Sequence, residues 1–189
     1  MMVSMLFMMS SRALASAKRI KEVLEEQPDI SDENAKFPQL EIQTGDIEFK
    51  NVTFRYYKNS SECVLDNINL KIPAKSIVGI IGSTGCGKTT LVSMIPRLYD
   101  PDSGEVLIDG INVKDYSLYN LREGIGMVLQ NNTLFSGTIE ENLRWGNENA
   151  TEEQIVEAAK SAQADKFVSS FKDGYKTEID QGGTNVSGG

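Results

Sequence analysis

Residues 76–90 read "SIVGIIGSTGCGKTT", a short unbroken apolar run, then a glycine-rich turn, then a basic residue and two threonines. A continuous apolar run of this length suits a strand buried on both faces, which places it inside a parallel sheet covered by helices. A helix is expected from Lys88, carrying Leu91, Val92 and Ile95, until Pro96 kinks or ends it. Gly82, Gly87, Lys88 and Thr89 fit the spacing G-x-x-x-x-G-K-[ST] of a phosphate-cradling loop. The whole stretch Gly82, Ser83, Thr84, Gly85, Cys86, Gly87, Lys88, Thr89 and Thr90 is the candidate binding loop. Its glycines let successive N–H groups turn inward toward phosphate oxygens, and the following helix adds its N-terminal partial charge. Lys88 supplies a mobile cation, and the Thr89 hydroxyl is a hard ligand of the kind Mg²⁺ takes. A glycine turn could match this pattern by accident, but here the strand and helix that the motif demands flank it. Cys86 stands at a variable position, where a small residue that fits is the simpler account.

The rest of the chain supplies the context. Before the loop, "GDIEFKNVTFRYY" alternates twice, with Ile47 and Phe49 and then Val52, Phe54 and Tyr56, and the register slips at Lys50-Asn51. This predicts a bulged strand or a tight turn. "LDNINLKIP" alternates Ile68, Leu70 and Ile72, so two antiparallel strands should flank the loop at residues 57–63. After it come a turn at "DPDSG", a strand at "EVLID" and a second buried strand at "GIGMVLQ". Thr151 and Gln154 form a capping box for a helix through about Ala164.

The N-terminus opens "MMVSMLFMMS", too short an apolar run to span a bilayer, which takes about 20 residues. Ala13, Ala17, Ile20 and Leu24 continue at helical spacing, with Arg12, Lys18, Arg19 and Lys21 crowding the start and Pro28 closing it. An amphipathic helix satisfies this pattern, and so does the last part of a transmembrane helix entering the cytoplasm. Residues 28–44 read as a polar linker, and a folded domain begins at Gly45. The net charge of −8 argues against a nucleic-acid partner held by broad electrostatics. Histidine is absent and there are two cysteines, which excludes His-based chemistry and a disulfide framework within these 189 residues.

The segments "FRYYKNSSECVLDNINLKIP", "GSTGCGKTTLVSMIPRLYDPDSGEVLIDG", "MVLQNNTLFSGTIEENL" and "NVSGG" resemble, in that order, the nucleotide-binding domain of ATP-binding cassette (ABC) transporters, exporter type. The resemblance covers residues 45–189. Residues 1–27 are similar to the end of the last transmembrane helix and its cytoplasmic extension in exporters that fuse both parts in one polypeptide. The resemblance implies an α/β fold: a P-loop NTPase core with an antiparallel β subdomain and a helical subdomain. It further implies ATP and Mg²⁺ as cofactors, with Lys88 and Gln130 in catalysis and Thr89 and Gln130 at the metal. Tyr56 resembles the aromatic that stacks on adenine, with Tyr57 the second candidate; a pair of half-buried strand aromatics also fits. Ser187, Gly188 and Gly189 resemble the start of the signature loop, which reaches the γ-phosphate on a partner domain in a head-to-tail homo- or heterodimer.

In the family, the Walker B strand, its glutamate and the switch histidine follow that signature. The expectation is therefore that this part of the core sheet is missing from residues 1–189, that the strands at 76–82 and 124–130 lack neighbours, and that the piece alone is inactive. The resemblance places the protein at the cytoplasmic side of the plasma membrane, joined to a transmembrane domain. A module that binds ATP without hydrolysing it is the alternative. A soluble cassette of translation or DNA maintenance is a third reading, against which the apolar N-terminus and the acidic charge both count.

Overall fold

The computed structural model describes residues 2–186, and the chain divides into two units, Met1–Gly126 and Met127–Gly189. In the first, helix α1 (Met2–Leu24) is followed by strands β1 (Ile47–Phe54) and β2 (Leu65–Ile72) and helix α2 (Lys88–Ser93). Strands β3 (Ser103–Ile108) and β4 (Ile111–Asn112) and helix α3 (Leu118–Glu123) complete it. The strands form one antiparallel sheet in the order β2-β1-β3-β4. Alternation buries Phe49, Val52 and Phe54 of β1 with Val106 and Ile108 of β3, and Met94, Tyr116 and Leu121 close over them.

The slip expected at Lys50-Asn51 is a bulge. Asn51 takes φ 49°, and pairing shifts between Phe49 and Val52 on one side and between Lys50 and Thr53 on the other. Gly104 of β3 crosses the bulge at φ +80°, where a Cβ would lie 2.3 Å from the Asn51 carbonyl oxygen. Only glycine lets the two backbones come this close.

Two expectations are overturned. Residues 76–82 and 125–129 form no strand, and their apolar side chains are not buried. Ile77 and Ile81 are fully open to solvent, and Val128 is 88% exposed. The run of β-branched residues is suited to a parallel sheet, but among the described residues no strand hydrogen-bonds to either segment. Without ladder partners on both sides an apolar segment has neither backbone bonds nor a covered face to hold it in a sheet.

The stretch 28–44 is tied to the sheet unit at several points. The Asp32 carboxylate accepts from the Leu118 N–H at 2.7 Å, Phe37 bridges to Tyr116, and Leu40 and Ile42 pack on the core. Asp109, at φ 53° in the β3–β4 turn, gathers the N–H groups of Gln43, Thr44, Gly45 and Asp46 and the Thr44 hydroxyl. Burial pulls the Asp109 carboxyl upward, but hydrogen bonds from Thr44, Gln43 and Gly45 outweigh it and hold the group well below the usual carboxylate range. Burial, and then the Asp109 charge, push the nearby Tyr116 phenol up. In α1 the apolar stripe is uncovered, and Lys18–Glu22 and Lys21–Glu25 pair along the helix.

The second unit pairs β5 (Gly137–Thr138) with β6 (Glu178–Ile179) and carries helices α4 (Ile139–Arg144), α5 (Glu152–Ser161) and α6 (Asp165–Val168). Ile139, Val168 and Ile179 form its small core with Leu134, Phe171 and Tyr175. The Thr151–Gln154 capping box is present, and α5 ends at Ser161 rather than near Ala164 because Gln163 turns to φ 60°. Thr138 and Glu141 make a second capping box that starts α4, a pattern the sequence reading passed over. The fold is mixed α/β, with an antiparallel sheet unit and a mainly helical unit.

Candidate functional site

The glycine loop lies between the exposed segment 76–82 and α2, and it folds around its own lysine. Lys88 Nζ donates to the carbonyl oxygens of Gly82 and Ser83 at 2.8 and 2.7 Å, and reaches Cys86 Sγ at 3.6 Å. A Cβ on Gly82 would sit 2.6 Å from Cys86 Sγ, so the Cys86 thiol fills the space beside Gly82. Gly85 and Gly87 both take positive φ, and a Cβ on Gly87 would lie 2.8 Å from the Val64 carbonyl oxygen. Glycine at 87 therefore serves two ends: it makes the turn into α2 and lets the loop rest against the start of β2. Thr84 lies at the turn, and Thr89 is exposed on the first turn of α2.

Thr90 faces the other way. It is buried, and its hydroxyl lies 2.8 Å from that of Tyr56, just beyond the end of β1. Tyr56 stands edge-to-face with Phe54 at 5.0 Å and with Tyr99 at 5.2 Å, and about half of it (49%) is open. It lines a cleft of about 590 Å³ with Arg55, Lys58, Tyr99, Asp29 and Asp102. Tyr57 points into solvent, with 79% of its surface exposed and no ring partner, so the structure favours Tyr56 as the ring built into a site.

The first unit thus brings together the binding loop, Lys88, Thr90 and Tyr56. Gln130 is exposed and belongs to the second unit. Ser187, Gly188 and Gly189 lie outside the described residues. Among the described residues no group of three or more His, Cys, Asp or Glu side chains is placed to hold a metal ion. Tyr99 escaped the sequence reading. Its signal was an aromatic residue directly before the turn "DPDSG", which returns the chain to the end of β1.

The first unit thus holds Lys88 within the glycine loop and, through the Tyr56–Thr90 bond, an aromatic ring linked to the helix that follows the loop. A family model described as "ABC transporter" matches residues 65–189. An uncharacterized ABC transporter ATP-binding protein of Bacillus subtilis (strain 168), YfiB, is 44% identical over all of this chain and 32% of its own length. The mitochondrial iron-sulfur clusters transporter atm1 of Neurospora crassa is 40% identical over 96% of this chain and 24% of its own. Among solved structures, a bacterial Atm1-family ABC exporter with ATP bound superposes with a TM-score of 0.88 at 30% identity, over 99% of this chain and 32% of that one. The chain spans about a third or less of the length of these relatives. Through the loop at 82–90, the order of the segments around it and a family match that runs from β2 to the last residue, the chain belongs to the ABC transporter family.

Proposed function

We propose that this chain is the ATP-binding part of an ABC exporter's motor, which couples ATP hydrolysis to transport across a membrane. The observation that carries this reading is Lys88, whose ammonium is folded into the floor of the glycine loop by the Gly82 and Ser83 carbonyls. A cation held there can exchange two neutral carbonyl oxygens for the anionic oxygens of a triphosphate, a stronger charge-assisted partner. The residues present fit that ligand: Gly85 and Gly87 take the positive φ that turns the loop into α2, and Tyr56 offers a partly open ring. Bound ATP supplies the phosphoryl chemistry, and Mg²⁺ would be held by Thr89 and Gln130 with the nucleotide's own oxygens. Lys88 orients and neutralises the phosphates, Gln130 positions water and metal, and Tyr56 stacks on the base.

Residues 1–27 are read as the end of a transmembrane helix with its cytoplasmic extension, 28–44 as the connection, and 45–189 as nucleotide-binding domain. Among the described residues no helix is long and apolar enough to cross a membrane. The basic run Lys18, Arg19 and Lys21 on α1 suits an inner-leaflet surface. One relative is named as a mitochondrial transporter, and the solved structure is named as an ABC exporter. The location proposed is therefore a membrane, with the nucleotide side in the cytoplasm or its organellar equivalent, and the plasma membrane as one case. The partners proposed are a transmembrane domain and a second nucleotide-binding domain, identical or not, facing head to tail so that Ser187, Gly188 and Gly189 reach the partner's phosphates. Hydrolysis is proposed for that complete assembly. The test is turnover in the complete protein: Lys88→Ala abolishes ATPase activity at unchanged circular dichroism, and unaltered turnover in that variant removes the loop from the mechanism.

A further inference from the structure

We propose that Tyr99 and Thr90 are positioning residues that fix the ring of Tyr56 for a nucleobase, an inference that rests on the reading of Tyr56 as the base-stacking residue. Three aromatic rings meet beside the glycine loop. Phe54 and Tyr99 each stand nearly perpendicular to Tyr56, at 80° and 88°, and tilt against one another at 5.4 Å. Phe54 is buried as part of the sheet core, so one side of the cluster is rigid. Tyr99 is 38% exposed and sits on a loop, and that loop is held by several independent ties.

Arg97, buried at φ 53°, grips Asp100 through two nitrogens, with Nε to Oδ1 at 2.9 Å and Nη2 to Oδ2 at 3.1 Å. Arg122 donates to the Pro96 and Arg97 carbonyls. Asp102 donates its N–H to the Thr53 carbonyl and pairs with Arg55, which clamps the loop to the end of β1. Such a frame exceeds what an ordinary surface turn requires. What it achieves is a fixed place for the Tyr99 ring against Tyr56.

The third constraint on Tyr56 is the hydrogen bond between the Tyr56 and Thr90 hydroxyls. Rings on two sides and a bond at the phenol end leave Tyr56 little rotational freedom, while its exposed part faces the cleft. Stacking gains most when the platform is ordered beforehand, because the ligand does not then have to immobilise it. Thr90 belongs to α2, whose first residue is Lys88, so the same bond ties the ring to the element that carries the phosphate-binding lysine.

The experiment compares two ligands in the complete protein: ATP, which has a base, and inorganic tripolyphosphate, which has none. Tyr99→Leu should weaken ATP binding about three- to tenfold, in line with the loss of an aromatic pair, and leave tripolyphosphate binding unchanged. Tyr99→Phe, which keeps the ring, should restore ATP affinity. Tyr56→Phe keeps the stacking face but loses the Thr90 tie, and should weaken ATP by about two- to fivefold with tripolyphosphate again unaffected. Wild-type ATP affinity in Tyr99→Leu overturns the role of Tyr99, as does an equal loss for both ligands, which would mark a general structural defect. Wild-type ATP affinity in Tyr56→Phe overturns the role of Thr90. If Tyr56→Ala lowers ATP affinity while Tyr99→Leu and Tyr56→Phe do not, only the positioning claim falls. If Tyr56→Ala is itself silent, the base-stacking reading falls and takes the positioning claim with it.

Discussion

The hydroxyl groups of Tyr56 and Thr90 lie 2.8 Å apart, joining the residue just past β1 to the first turn of the helix that begins with Lys88. This bond turns two sequence candidates 34 positions apart into one site. It also favours Tyr56 over Tyr57, whose side chain is 79% exposed. Stacking on a purine tolerates a change of ring but needs an aromatic face. Tyr56→Ala should weaken ATP binding by about tenfold, the order of a lost base–aromatic stack. Tyr56→Trp should retain most of it. An equal loss in both variants, measured by equilibrium titration, would make the residue structural and return Tyr57 to candidacy.

Cys86 Sγ occupies the space beside Gly82 and lies 3.6 Å from Lys88 Nζ. A substituent on that sulfur would collide with the loop floor and displace the ammonium. Alkylation of Cys86 should block nucleotide binding, and MgATP should slow the alkylation. Cys63 provides the internal control for reagent access. Labelling of Cys86 at the same rate with and without nucleotide would contradict the placement of the phosphates beside it.

At Gly104 the prediction concerns stability. Alanine there must hold φ near +80° and put its Cβ against the Asn51 and Lys50 carbonyl oxygens. Adopting the left-handed region costs about 1–2 kcal/mol, and separating β1 from β3 at the bulge adds to it. Gly104→Ala should therefore lower the unfolding midpoint of the domain by several degrees, seen by calorimetry of the complete protein. An unchanged midpoint would show that the bulge adjusts freely.

Asp109 gives a pH signature. Its carboxyl is held below its ordinary value by the N–H groups and the hydroxyl of residues 43–45. A carboxyl lowered on folding stabilises the native state above the unfolded value near 3.9, and the contribution is lost as pH falls toward the folded value. Asp109→Asn keeps a residue that tolerates φ 53° but removes the charge. Amide hydrogen exchange at residues 43–46 should be faster in this variant at neutral pH, by about tenfold for the loss of charge-assisted bonds. The difference should narrow as pH is taken well below 4. A difference independent of pH would mean that the carboxylate charge is not what holds the turn.

The sequence revealed the local features and missed those that depend on distant partners. Alternation placed Phe49, Val52 and Phe54 correctly, because one-sided burial in an antiparallel sheet imprints a period of two. The Lys50-Asn51 slip was readable for the same reason: a bulge breaks that period. The glycine loop was legible because its spacing follows from close backbone approach, as Gly87 shows against the Val64 carbonyl oxygen. The runs at 76–82 and 124–130 were read as strands without neighbours: among the described residues neither has a ladder partner, and what the reading missed is that an apolar run without such partners does not keep strand form. Tyr99 and Asp109 were invisible for another reason. Their roles arise from tertiary contacts, with Tyr56 in one case and with residues 43–46 in the other, and an aromatic or an aspartate in a turn carries no periodic mark of such contacts.

The most direct test of the account is the affinity of the complete protein for ATP with and without the Lys88 ammonium. The lysine now bridges the Gly82 and Ser83 carbonyls, and its proposed partners are phosphate oxygens. Equilibrium titration of wild type and Lys88→Ala, matched for folding by circular dichroism, should show ATP affinity falling by about tenfold to a hundredfold, the worth of a charged hydrogen-bond partner. Equal ATP affinity in the two proteins would contradict the claim that this loop is where the chain holds ATP.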